Sequence, residues 1–235
     1  MKDKRDDTMM MQTQQSTACG DSVRVEMADL ADRSADSYQQ TDAGQLAENK
    51  YRAGAYSMLA ALLRQPPRQD VLNVVTGLAD GVEEKDDFAV AMLMLGLAAR
   101  TAKPAELDDE FHALFIGLGR GELVPYGSWY LTGFLMEKPL GVLRDDLASM
   151  GFARNDSTRE PEDHVAALCE VMAMLIDEGR SIGEQTLFFN AHMSSWLGRF
   201  FTDLSEARSA VFYRAVARFG KAYFDFEKQY LAMRV

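Results

Sequence analysis

Hydrophobic residues from Leu46 onward recur at the spacing of α-helices that are buried along one face. The first predicted apolar face comprises Tyr51, Ala55, Met58, Leu59 and Leu62. Two consecutive prolines, Pro66 and Pro67, cannot continue a helix. The pattern therefore predicts that the first helix ends just before them.

The same period continues to the C-terminus and divides the chain into successive helices. It predicts helices over 68–80, 86–102, from Pro104 through Phe115, 137–151, onward from Pro161, 184–204 and 206–231. The segment 117–129 holds four Gly and a Pro and is predicted to be a loop. Runs of β-branched residues that alternate with polar ones are absent from the sequence. We therefore expect an all-α fold, a single globular domain of about eight or nine helices.

Two segments differ in composition from the helical part. Residues 1–45 are rich in Asp, Ser, Thr and Gln and contain few large aliphatic residues, so we expect a polar, mobile N-terminal segment. The charged stretch 153–160 reads as a linker between helices. The predicted organisation is thus an N-terminal segment over 1–45 and a helical domain over 46–235, with a hinge near 153–160.

The charge balance and the cysteine content limit the function classes. A formal net charge of −11 argues against a nucleic-acid partner and favours partners that are at least partly basic. The N-terminus lacks the apolar core of a secretory signal, and no stretch approaches a membrane span of about 20 apolar residues. We therefore expect a cytoplasmic protein without membrane insertion. Because the cytoplasm is reducing, Cys19 and Cys169 are expected to be reduced thiols, and a single disulfide between them is the alternative.

The sequence contains no complete catalytic or metal-binding motif. The glycines of GLGRG (117–121) follow a predicted helix rather than a strand, which does not fit a dinucleotide-binding turn. The three histidines, His112, His164 and His192, are too far apart in sequence to pair on one turn of a helix. The sequence therefore predicts neither an enzyme nor a metal site.

The stretch EPEDH (160–164) places three carboxylates and a histidine within five residues. Pro161 suits the first position of a helix, and the carboxylates of Glu160, Glu162 and Asp163 would complement the positive end of the helix dipole. The same residues also suit the recognition of a cationic partner. Residue chemistry alone leaves both interpretations open.

Methionine is abundant, with 14 residues, many of them in the predicted helices. Methionine fills irregular gaps in cores and also lines surfaces that accept varied apolar peptides. Together with the acidic balance, this composition would suit a groove for a segment that is basic at one end and apolar along the rest.

Three segments, taken together and in this order, resemble one known family. EFHALFIGLGRGELVPYGSWYL (110–131) has an apolar helix followed by a loop with Pro125, Tyr126, Ser128 and Tyr130. EPEDH matches an E-P-x-D-H hinge motif. FFNAHMSSWLGRFFTDL (188–204) matches a motif formed by His192, Trp196, Phe200, Asp203 and Leu204. The chain from 46 to 233 thus resembles the TorD/DmsD/NarJ family of cytoplasmic molybdoenzyme maturation chaperones, closest to its TorD and DmsD branch.

The resemblance implies a non-enzymatic chaperone with an all-helical fold. Such a protein binds the twin-arginine signal peptide and the apo form of a molybdopterin-dependent oxidoreductase of the DMSO-reductase type. It assists insertion of the molybdenum cofactor, which the client carries, and prevents premature export. The resemblance implies no tightly bound cofactor, and it implies a monomer or a domain-swapped homodimer.

The resemblance also indicates where the client would bind. Glu160 and Asp163 would meet the arginine pair, and Tyr126 and Trp129 would receive the apolar part of the signal peptide. His164 would orient Asp163 or brace the hinge. The expected site comprises Pro125, Tyr126, Ser128, Trp129, Tyr130, Glu160, Pro161, Asp163 and His164.

Two alternatives remain at this point. One is a weak nucleotide-binding protein that hydrolyses GTP with Glu160, Asp163 and His164, although the sequence has no phosphate-binding loop. The other is a structural all-α interaction module in which EPEDH only begins a helix.

Overall fold

The computed structural model describes residues 44–80, 86–117, 121–153 and 160–234. The chain divides into two compact units, Met1–Asn49 and Lys50–Val235. The first unit lies almost entirely outside the described residues, as does most of the predicted hinge at 153–160. The description below concerns the second unit, apart from the first residues of the helix that begins at 44.

The described residues form ten α-helices and no strand, which confirms the predicted all-α fold. The helices are α1 (44–64), α2 (Gln69–Thr76), α3 (Asp87–Thr101), α4 (Pro104–Phe111), α5 (Gly127–Thr132), α6 (Lys138–Ser149), α7 (Val165–Asp177), α8 (Ile182–His192), α9 (Leu197–Glu206) and α10 (Phe212–Arg234). A 3₁₀ turn (Gly77–Ala79) extends α2, and a π-helical turn (His112–Ile116) extends α4.

Helices α7 and α10 lie at the centre of the core. Helix α7 is apolar around most of its circumference, and both Val165 and Leu175 are fully buried. Helix α10 is amphipathic, and its aromatic face packs against α3, α8 and α9. A helix that is hydrophobic on most sides is stable only when neighbours cover it, and nine of the thirteen residues of α7 are buried.

The first helix buries most of the predicted face, since Leu59 and Leu62 are fully buried, but Tyr51 lies outside it. Tyr51 is 80% exposed, whereas Arg52 is only 2% exposed. The Arg52 guanidinium donates to both carboxylate oxygens of Glu227 on α10, at 2.6 and 3.0 Å, and also to Gln185 on α8. The guanidinium also lies over the ring of Tyr230, 4.2 Å from its centroid. Periodicity missed Arg52 because a buried charge with a full set of partners has no hydrophobic signature.

Three predicted element boundaries differ from those in the structure. The predicted loop over 117–129 ends early, because α5 begins at Gly127. The predicted helix over 184–204 is broken at 193–196, where the Trp196 indole N–H donates to the carbonyl of His192 at 2.7 Å. The last helix begins at Phe212 rather than 206, because the Glu110 carboxylate caps the backbone N–H groups there.

The structure also bears on two smaller expectations. Cys169 is a free, buried thiol, and burial raises its pKa; Cys19 lies outside the described residues. Within the described ranges, no single helix is long and apolar enough to cross a membrane. One pair, Asp87–Thr101 with Pro104–Ile116, passes that test only when joined across a bend of 115°.

Candidate functional site

Two of the motif segments meet at an isolated antiparallel β-bridge between Tyr126 and His164. The Gly127 N–H donates to the carbonyl of Asp163 at 2.9 Å, and the Val165 N–H donates to the carbonyl of Pro125 at 2.9 Å. These bonds fix the start of α5 against the start of α7. Side chains that follow one another in an extended segment point in opposite directions, so Asp163 and His164 face different surroundings.

His164 is the N-cap of α7. Its Nδ1 accepts a hydrogen bond from the Ala166 N–H at 3.1 Å, and burial, with a smaller effect from Arg64, lowers the pKa of the imidazole to about 3. The ring is therefore neutral, with its proton on Nε2. Its face meets the ring of Tyr126 in an edge arrangement with centroids 5.0 Å apart.

This geometry corrects the predicted start of the helix. Helix α7 begins at Val165 rather than at Pro161, and no acidic residue lies in its first turn. The acidic residues of EPEDH therefore do not complement the dipole of α7 from its first turn. A histidine at an N-cap position was not predicted, because the favoured N-cap residues are Ser, Thr, Asp and Asn.

Asp163 faces α5 and is only 3% exposed. Its Oδ2 accepts a hydrogen bond from the Ser128 N–H at 2.7 Å, which satisfies one of the free N–H groups at the start of α5. Within the described part of the chain, neither its Oδ1 nor the fully buried hydroxyl of Ser128 has a hydrogen-bond partner. Asp163 thus holds α5 in place and retains one carboxylate oxygen that is not satisfied.

His164 borders a groove of about 450 Å³ between α6 and α7, here called the acidic-rimmed groove. Its floor is apolar and includes Leu147, Phe152, Val171 and Met174. Its rim carries Arg64, Arg144, Glu160, Glu162 and Glu170, and Pro161 also lines it. The groove therefore combines an apolar floor with charged groups of both signs at its edge.

The rim charges interact in pairs that reach the solvent. Arg64 forms a two-point ion pair with Glu170, and Arg144 donates to Glu162 at 2.9 Å. Glu160 is partly buried, and this burial raises the pKa of its carboxyl while Arg64 opposes the rise. Removing water from Glu160 therefore disfavours its charged form, and an additional cation at the rim would favour it.

Trp129 and Tyr130 line a different cleft, of about 410 Å³, next to α9. The Tyr130 hydroxyl donates to Asp203 at 3.0 Å, and its ring stacks on Trp196 with centroids 5.4 Å apart. Burial, followed by the nearby Asp203 carboxylate, raises the pKa of the Tyr130 hydroxyl. These two aromatic residues do not line the acidic-rimmed groove.

The nine residues expected at the site thus fall into separate places. Glu160, Pro161 and His164 line the acidic-rimmed groove. Ser128 and Asp163 line a smaller pocket on α5, Trp129 and Tyr130 line the cleft at α9, and Pro125 and Tyr126 join the two motifs through the bridge. The structure adds Arg64, Arg144 and the α6 residues of the floor, which carried no motif. A lone arginine and an amphipathic helix are too common for the sequence to mark them.

The ligand sets needed for a metal ion are not present in the described part of the chain. No group of three or more His, Cys, Asp or Glu side chains there could hold a metal ion. Two of the rim carboxylates, Glu162 and Glu170, are instead engaged with arginines, an arrangement suited to exchange with another basic group.

Comparison with known proteins identifies relatives. A family model described as nitrate reductase delta subunit matches residues 76–202. The chaperone protein TorD of Aliivibrio salmonicida is 26% identical over 206 residues, covering 78% of this chain and 96% of that protein. The TorD proteins of Aliivibrio fischeri and of Vibrio cholerae El Tor are each 27% identical and cover 78% of this chain and at least 93% of their own length.

A solved structure shares the fold. It is a protein from Archaeoglobus fulgidus proposed to act in redox enzyme maturation, with a TM-score of 0.51 and 18% identity. The match covers 75% of this chain and 93% of the other. At 18% identity this likeness shows only that the two proteins share a fold.

Proposed function

The chain belongs to the nitrate reductase delta subunit family, the TorD/NarJ family expected from its motifs, and from that membership we propose a maturation chaperone. Its client is an apo-molybdoenzyme of the DMSO-reductase type, and it binds the client's twin-arginine signal peptide. It keeps the client in the cytoplasm until the molybdenum cofactor has been inserted. The client carries the cofactor, and this chain performs no catalytic step.

The observation that carries the proposal is the acidic-rimmed groove. A twin-arginine signal has a pair of guanidinium groups followed by an apolar stretch, so its receptor needs carboxylates beside an apolar surface. Glu160, Glu162 and Glu170 supply the carboxylates, and the floor between α6 and α7 supplies the apolar surface. Both parts lie within one groove of about 450 Å³.

The rim ion pairs do not prevent binding of arginines from a client. The side chains of Arg64 and Glu170 are 31% and 45% exposed, and those of Arg144 and Glu162 are 49% and 16% exposed. An ion pair that is partly exposed on both sides, such as Arg64–Glu170, contributes only about 0–1 kcal/mol. Exchange of a rim arginine for a guanidinium of the peptide therefore costs little and can form the same two-point geometry.

The apolar stretch of the peptide would lie along the floor. Met174 of α7 is part of this floor, and its side chain is 40% exposed. Its flexible, polarisable side chain can adapt to different apolar residues. This adaptability suits a peptide in which apolar character matters more than the exact sequence.

Fluorescence anisotropy with a labelled twin-arginine signal peptide tests the proposal. We expect a dissociation constant in the micromolar range or lower, and a loss of about three- to tenfold in affinity for Glu160→Gln and for Met174→Ser. Glu178→Gln serves as a matched control, because Glu178 is an exposed carboxylate with its own arginine partner, Arg180, and does not line the groove.

Two comparisons decide the outcome. A peptide with both arginines replaced by glutamine should bind wild type and Glu160→Gln equally. Binding of the intact peptide at the level of a scrambled peptide would refute the proposal. Glu160 is a better probe than Asp163, because replacing Asp163 with alanine would also remove the cap of α5.

A further inference from the structure

Helix α3 is apolar on more of its surface than the rest of the protein covers. Between 88 and 99 its sequence holds no charged or strongly polar side chain. Its inner side packs against α10, α2 and the 3₁₀ turn. On its outer side Met94 is 41% exposed and Leu97 is 46% exposed, and Val90 and Leu93 are partly exposed. A helix that is hydrophobic on all sides belongs in an interior, so this outer side is suited to being covered by a partner.

The four outer residues, here called the α3 stripe, have a symmetric spacing. They are Val90, Leu93, Met94 and Leu97, so the intervals of three, one and three residues are the same in either direction along the chain. At about 100° per residue, all four side chains leave the helix within about 50° of one direction. The midpoint of the stripe lies between Leu93 and Met94. A surface with this symmetry matches a copy of itself turned end to end, as a two-fold interface requires.

The charges at the two ends of the stripe are opposite in sign. Asp86, the N-cap of α3, lies four residues before Val90, and Arg100 lies three residues after Leu97. In an antiparallel pair of α3 helices, Asp86 of one copy lies beside Arg100 of the other, and the reciprocal pair forms as well. A parallel pair would instead bring like charges together. Arg100 pairs with Asp80 in its own chain, but these side chains are 42% and 73% exposed, so this pair is easily exchanged.

We propose that the α3 stripe is the interface of a symmetric homodimer in which the α3 helices of two copies pack antiparallel. Val90 of one copy faces Leu97 of the other, and Leu93 and Met94 lie at the two-fold axis. A second copy fits better than an unrelated partner, because the stripe and its end charges complement themselves when reversed.

The length of α3 sets the expected strength of the dimer. With 15 residues the helix is about 22 Å long. One pair of helices of this length buries less than the roughly 1,200 Å² at which stable complexes begin. We therefore expect a reversible dimer with a dissociation constant of about 10–100 µM.

This dimer is distinct from a domain-swapped one and from the proposed signal-peptide site. A swapped dimer would exchange helices across the hinge at 153–160 and would not depend on the α3 stripe. The described residues that line the acidic-rimmed groove lie outside α3. The inference therefore does not depend on the proposed function.

Sedimentation velocity of the full-length protein over a concentration series tests for the dimer. Between about 1 and 300 µM, wild type should pass from monomer to dimer. Met94→Glu places two carboxylates together at the axis and should leave a monomer at every concentration. Leu187→Glu is the matched control, because Leu187 is 73% exposed on α8, and this variant should associate as wild type does. A monomeric wild type, association that survives Met94→Glu, or an equal loss in Leu187→Glu would overturn the inference.

Cysteine cross-linking tests the antiparallel geometry. The variants are made in a Cys19→Ser background, in which the remaining Cys169 is buried. Under mild oxidation Met94→Cys should form a disulfide-linked dimer, because its two copies lie side by side at the axis. Val90→Cys should not link to itself, since its two copies lie about 10 Å apart along the helices, but it should link to Leu97→Cys in a mixture. Linking of Val90→Cys to itself as readily as Met94→Cys would refute the antiparallel pair.

A charge reversal tests the pairing at the ends of the stripe. Arg100→Glu should weaken the dimer about tenfold or more, because two repulsive pairs with Asp86 replace two attractive ones. Arg199→Glu is the control, since it changes the net charge equally and also replaces an exposed arginine that has its own aspartate partner. Unchanged association in Arg100→Glu, or the same loss in both variants, would contradict the antiparallel pair.

Discussion

Acidification should destabilise the protein through His164. The imidazole is 5% exposed, and burial lowers its pKa from the ordinary value near 6.5 to about 3. The folded state therefore keeps it neutral at pH 5, whereas the unfolded chain binds a proton there. Because the unfolded state takes up more protons, the free energy of unfolding falls as the pH drops below 6.5, and the loss is complete only below pH 3.

The size of the effect follows from the two pKa values. Between about pH 7.5 and pH 5.0 the unfolded chain gains almost a full proton at this position, which removes about 2 kcal/mol of stability. Domains of this kind are stable by about 5–15 kcal/mol in total. The loss is therefore large enough to measure and small enough to leave the protein folded at pH 5.0.

Urea unfolding followed by circular dichroism at both pH values measures this loss. The informative variant is His164→Asn, because asparagine is a favoured N-cap and its side-chain oxygen can accept from the Ala166 N–H. The variant should be less stable than wild type at pH 7.5, since it loses the contact with the Tyr126 ring. Its stability should then fall by about 2 kcal/mol less than that of wild type on acidification.

The loss of stability in wild type minus the loss in His164→Asn gives the contribution of His164, because the other titratable groups are present in both proteins. His112→Asn is a matched control, since it removes a histidine whose side chain is 56% exposed. Equal losses in wild type and His164→Asn, within about 0.5 kcal/mol, would show that the imidazole is not held neutral in the folded protein.

Two further predictions concern packing and use the same unfolding assay. Arg52→Met should cost about 3–5 kcal/mol, because it leaves the buried Glu227 carboxylate without its cation. Adding Glu227→Gln should restore part of this loss. A cost below about 1 kcal/mol would contradict the buried ion pair. Gly220→Ala should cost about 1–3 kcal/mol, because a Cβ there would overlap the Phe201 ring. Gly141→Ala is the control, because Gly141 is exposed on a helix and a Cβ there would meet nothing within 4 Å. It should stabilise the protein by about 0.5–1 kcal/mol. A change in stability of the same sign for both variants would contradict the close packing of Gly220 against Phe201.

Local signals in the sequence predicted most helices within a few residues. The prolines at 66 and 67 end α1, and Pro104 begins α4, because proline acts on the backbone at its own position. The break between α8 and α9 was missed because the residues that form it, Met193 and Trp196, are apolar and fit the helical period. They are buried in the turn itself, which only the surrounding core makes favourable.

The motifs predicted the family correctly and predicted which segments come together. The Tyr126–His164 bridge brings EPEDH against the loop that contains Pro125, as the shared motifs implied. The sequence could not show that Asp163 and His164 face different pockets. That separation follows from the extended backbone at the bridge, a conformation fixed by hydrogen bonds between residues far apart in the chain.

The sequence by itself determined the all-α class, the family and the acidic character of the protein, because periodicity, motif order and charge are properties of the chain alone. The tertiary structure alone decided which ionisable groups are buried. Arg52 and Asp163 are charged residues that a linear pattern assigns to the surface, yet each is almost fully buried. Burial depends on partners from distant helices, such as Glu227 for Arg52 and the Ser128 N–H for Asp163, and their proximity exists only in the folded molecule.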